Sequence, residues 1–98
     1  MDTPKQLYYT APPNDVFEEL KEAALEVWDT YDDPYRTEKK DKVESMENVR
    51  DNFMVMVSMF DTRNQKKLAG KLSQATKDAV RNRLAAGGAD ARYTSIFN

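Results

Sequence analysis

Three sets of side chains in this 98-residue chain have the types and spacing to do chemistry. Tyr8 and Tyr9 are adjacent near the N-terminus, and an aromatic face stacks on any nucleobase. Lys21, Arg36 and the cations of the C-terminal part, Lys77 and Arg81 among them, can neutralise a phosphate. Asp29, Asp32 and Asp33 cluster ahead of Pro34 and raise the question of a metal. A calcium loop needs oxygens at alternate positions, a central Gly and a closing Glu, and this spacing has none of that order. The three are therefore read as capping and solvated carboxylates, with no metal site. Each of the other sets also has a plainer reading. The tyrosines can pin a terminal arm onto the domain, and Lys21 can be a solvated lysine.

The composition excludes most catalytic designs. The chain has no Cys and no His, so disulfides, thiol catalysis, the usual zinc sites and His-based acid–base schemes are absent. A non-enzyme without a cofactor is expected. The net charge of −2 hides an asymmetry. Residues 1–60 carry seven Lys and Arg against fourteen Asp and Glu, while residues 61–98 carry eight against three. Either the basic part packs on the acidic part, or it offers a surface to an anionic ligand. The longest apolar run, Phe53 to Phe60, is far shorter than the ~20 residues of a membrane span, and the start MDTPKQLYY has no apolar signal segment. A cytoplasmic protein with no membrane contact is expected.

These side chains must be positioned by helices. The chain reads as one all-α domain: an extended arm over 1–13, a long antiparallel helix hairpin over 14–60, two shorter basic helices over 61–86 and a tail over 87–98. Pro4, Pro12 and Pro13 keep the arm extended. The first helix is expected from about Val16 to Tyr31, opened by an Asp15/Glu18 capping box and ended near Pro34. Its apolar stripe is Phe17, Leu20, Ala24, Val27, Trp28 and Tyr31. The second is expected to begin between Pro34 and Thr37 and to run unbroken to about Phe60. Val43, Met46, Val49, Phe53, Met56, Val57 and Phe60 recur every three or four residues along it. From Phe53 on, Met54, Val55 and Met59 make the other faces apolar too, and such a helix must be covered all round. Phe53, Met54, Val55, Met56, Met59 and Phe60 are accordingly the expected subunit interface of a homo-oligomer. A short helix broken near Gly70 follows, then a helix over Gln74–Ala86 capped by Ser73 and stopped by Gly87 and Gly88. The tail carries no helical signal, but Tyr93, Ile96 and Phe97 imply that its end docks.

Two resemblances bear on function. Gln65, Leu68, Ala69, Leu72, Ser73, Thr76, Val80 and Arg83 are similar to a DNA-binding helix-turn-helix, in which a Q-x-x-L-A helix leads into an S-x-x-T helix. Its turn reads about two residues short, and the overall negative charge opposes phosphate contacts. DNA binding through 65–84 is thus the least favoured reading. The second resemblance spans residues 8 to 60: an N-terminal Tyr, a Pro-containing arm, a first helix carrying a Lys, a turn, and a helix ending in Asn52-Phe53-Met54-Val55-Met56-Val57-Ser58-Met59-Phe60. This resembles the small phage anti-CBASS sponges that sequester cyclic nucleotides. In that family a similar x-F-M-x-x-V run builds a helical oligomer, a Tyr near the N-terminus stacks on a base and a Lys of the first helix meets a phosphate. The resemblance implies those roles for Tyr9 and Lys21. The expectation is a non-catalytic phage-type protein that sequesters an anionic cyclic nucleotide in the host cytoplasm and so counters host defence. Tyr8 or Tyr9 would take the base, and Lys21, Arg36 or the basic helices the phosphate. The alternative is a protein–protein adaptor or inhibitor that binds a host protein through the Met-rich helix or the tail.

Overall fold

The computed structural model describes residues 12–98, the side chain of Phe53 excepted. Tyr8, Tyr9 and most of the expected arm lie outside the described residues. The fold is all-α, and no strand occurs among the described residues. Six helices follow in order among the described residues: α1 Asn14–Trp28, α2 Lys39–Asn48, α3 Phe53–Ser58, α4 Thr62–Gly70, α5 Gln74–Ala86 and α6 Ala91–Thr94. A 3-10 turn, Ser95–Phe97, ends the chain.

α1 is the hub, in contact with α2, α4 and α5. Its start differs from the expected capping box. Pro13, with φ −55° and ψ 151°, takes the N-cap position, and its carbonyl accepts the Phe17 amide at 2.9 Å. The ring pre-sets φ, so no side-chain cap is needed to turn the chain into the helix. Asp15 then falls in the first turn, where its charge suits the positive end of the dipole. The expected stripe is buried: Phe17, Leu20, Ala24, Val27 and Trp28 are sealed from solvent, and Ala23 with them. Tyr31 falls beyond the helix end. The Thr30 hydroxyl donates to the Val27 carbonyl at 2.7 Å and closes the last turn.

The long second helix is not continuous. α2 starts only at Lys39 and stops at Asn48, and residues 49–52 break the rod before α3. Asn52 is extended, with φ −142° and ψ 100°, and its Oδ1 accepts the Val55 amide at 3.2 Å. An Asn side chain that can bond a nearby amide competes with helix continuation and favours a new start. The break lets two surfaces of the apolar run turn inward. Met46 from α2 and Met56, Val57 and Phe60 from the run itself all enter one core with α1. Phe60 packs on Trp28 with ring centroids 4.7 Å apart. Each fully buried side chain of this size contributes roughly 1.5–3 kcal/mol.

α4 and α5 are each opened by a capping side chain: Asp61 accepts the Asn64 amide at 2.9 Å and Ser73 the Thr76 amide at 3.3 Å. Gly88, at φ 84°, reverses the chain after α5 in a conformation that a Cβ would disfavour. The tail differs from its irregular expectation. Asp90 caps α6 by accepting the Arg92 amide, and the following turn drives Phe97 fully into the core. The Arg81 guanidinium donates to the Phe97 carbonyl at 3.0 Å and holds it there.

Candidate functional site

The turn between α1 and α2 is built on one buried carboxylate. Asp33 accepts the Trp28 indole N–H at 3.0 Å, the amides of Tyr35 at 2.8 Å and Arg36 at 3.2 Å, and the Arg36 guanidinium at 3.4 Å. Burial alone would raise its pKa; the hydrogen bonds and the Arg36 charge outweigh it and hold the carboxyl below its ordinary value. The cluster of three aspartates is thus a structural turn, with Asp29 and Asp32 exposed. No group of acidic side chains that could hold a metal occurs among the described residues.

Beside this turn lies a cleft of about 280 Å³ whose lining includes Tyr31, Arg36, Thr37 and Lys42. It brings together one predicted ligand residue, Arg36, with a second cation, a hydroxyl and an aromatic ring. Arg36 is fixed from both sides, by Asp33 and by the Ser45 hydroxyl, which accepts its Nε at 2.9 Å. Lys42 has no ion-pair partner within the described residues. Burial, with Asp33 and Asp61 nearby, raises the Tyr31 pKa above its ordinary 10, so the phenol stays protonated at neutral pH. Asp32 and Asp33 also line the cleft and oppose its two cations, Asp33 through its ion pair with Arg36. Lys42 and Tyr31 were not singled out as ligand residues from the sequence, where Tyr31 read as part of an apolar stripe.

Lys21, by contrast, is already answered. Its Nζ lies 3.1 Å from Glu18 and 3.7 Å from Glu47, and 5.5 Å above the Phe17 ring. It ties α1 to α2, and Arg50, in the segment after α2, lies 4.4 Å from the Phe17 ring centroid and bonds Asn14. Of the expected interface residues, Met56 and Phe60 are spent on the chain's own core at 2% and 4% exposure. Val55 is exposed at 38%, and Met54 and Met59 are half-buried. Those three are the described part of the apolar run left for a partner.

The helix-turn-helix positions find other employment. The Gln65 side-chain amide donates to the carbonyls of Val57 at 3.0 Å and Phe60 at 2.9 Å, tying α4 to the end of α3. Ser73 and Thr76 both donate their hydroxyls to Glu19 of α1, which also accepts the Ser73 amide. That amide is the largest cause that lowers the Glu19 pKa. The start of α5 therefore carries a carboxylate where a DNA reader would meet phosphate. The basic and acidic parts do meet in cis, through this contact and through Lys71 with Glu26 at 3.7 Å.

Comparison with family models, with curated proteins and with solved structures finds no match to this chain. Its function is therefore argued from its own residues. No helix among the described residues is long and apolar enough to cross a membrane.

Proposed function

We propose that this chain is a non-catalytic binding protein that works as a homo-oligomer and sequesters an anionic cyclic nucleotide, with the infected host cytoplasm as its place of action. The observation that carries the reading is the cleft in which Arg36 and Lys42 flank Tyr31 and Thr37. Lys42 would supply the unpaired charge to a phosphate, and the guanidinium of Arg36, ion-paired with Asp33 and held by Ser45, would add its remaining N–H donors with little freedom lost on binding. A cleft of about 280 Å³ takes one nucleotide unit. The rest of a cyclic ligand would lie over the rim or against a second copy. The resemblance of residues 8–60 to the phage sponges supports the same ligand class, and Val55 with Met54 and Met59 supplies the apolar surface for self-association.

Titration with a cyclic dinucleotide tests this. Lys42→Glu is expected to weaken binding at least tenfold, and Tyr31→Leu to weaken it several-fold. Loss in Tyr9→Ala and Lys21→Ala with Lys42→Glu unchanged would move the site to the positions that the resemblance implies. No saturable binding to any cyclic nucleotide would remove the function.

The adaptor reading has one observation of its own, the exposure of Val55 and Tyr93 on the α3 and tail side of the molecule. It predicts that Met54→Asp and Met59→Asp abolish capture of a host protein and leave nucleotide binding intact.

A further inference from the structure

A second groove, of about 370 Å³, opens where α3 ends and α4 begins, on a different set of residues from the nucleotide cleft. Met54, Val57, Phe60, Leu84 and Tyr93 make most of its wall, and Asp61 is its one charged lining residue. We propose that this groove binds a small, largely apolar amine, with Asp61 as its counter-ion and Gln65 as its hydrogen-bond acceptor.

Two independent observations point to the ligand, the first to a hydrogen-bond donor and the second to a positive charge. The first is Gln65, 4% exposed and part of the groove lining. Both carbonyl bonds come from its Nε2, which fixes the orientation of the amide. Its Oε1 is left buried without a hydrogen-bond donor, the one such side-chain atom found among the described residues. Buried acceptors are nearly always paired, so an orphan beside a groove marks the place for a ligand N–H. The second is Asp61. One of its oxygens accepts the Asn64 amide, and within the described residues it has no ion-pair partner. An ammonium seated at this rim answers that charge and turns an N–H toward Gln65, while its hydrocarbon part lies against Met54 and Tyr93. An anion would meet a like charge here, and a neutral alcohol would forfeit the charge contact. The volume sits at the lower end of small-molecule sites, which suits an aryl-alkyl amine rather than a larger ligand.

The test uses the full chain and 2-phenylethylamine, with 2-phenylethanol and 3-phenylpropionate as its neutral and anionic counterparts, followed by two-dimensional NMR. The reporters are the Gln65 side-chain amide and the indole N–H of Trp28, which stacks on the groove residue Phe60. The amine is expected to shift both reporters saturably, the alcohol to bind at least fivefold more weakly and the acid not at all. Asp61→Asn keeps the α4 cap, since Asn caps as well as Asp, and is expected to weaken the amine at least fivefold while leaving the alcohol unchanged. Equal binding of amine and alcohol, an amine affinity unaltered by Asp61→Asn, or no saturable shift would each overturn the proposal.

Discussion

Glu19 joins α1 to the first turn of α5 through three hydrogen bonds, and its pKa is lowered chiefly by the Ser73 amide. Asp33 does the same for the turn after α1. Both groups bind protons more weakly folded than unfolded. Their stabilisation is therefore present above their ordinary values, 4.5 and 3.8, and is lost as pH falls through the lower folded values. Urea midpoints should fall steadily below about pH 4.5. Glu19→Gln should cost about 1 kcal/mol at pH 7, in line with a lost cap, and should flatten part of that acid dependence. An unchanged pH profile in Glu19→Gln would mean that the contact is not formed in solution. Neither role was legible beforehand. Asp33 read as one of three similar aspartates, and Glu19 carried no signal of this contact because its partners lie more than fifty residues away.

At the scale of elements, apolar periodicity located α1 and its buried face well, and the Ser73 cap and the two glycines bounded α5. The break at residues 49–52 was hidden, since Val49 and Phe53 keep the same three-to-four spacing whether or not the helix runs through them. The local sign was Asn52, whose side chain caps α3. Asn52→Ala should destabilise the fold by about 1 kcal/mol in urea unfolding, and no change would argue that α3 does not depend on this cap. The tail was misjudged for a related reason. A four-residue helix and a three-residue turn have too few positions to show a period, although Asp90 is a cap residue and Phe97 an anchor. Phe97→Ala empties a fully buried site and should cost about 3–5 kcal/mol. A loss below about 1 kcal/mol would contradict the docked tail, because surface positions rarely cost more.

For the molecule as a whole, Met56 and Phe60 are buried in the chain's own core, and the self-association proposed above would rest on Val55, Met54 and Met59. Apolar periodicity pointed correctly to helices, and cross-contacts between the acidic and basic parts, such as Lys71 to Glu26, are made within one chain. What composition could not show is that Lys21 is paired while Lys42 is not, since that depends on which helix faces meet. The central claim is a self-associating nucleotide binder, and native mass spectrometry of the full chain with a panel of cyclic oligonucleotides tests it most directly. The account predicts a defined oligomer that gains whole nucleotide masses. A monomer, or an oligomer that takes up none of the panel, would contradict it.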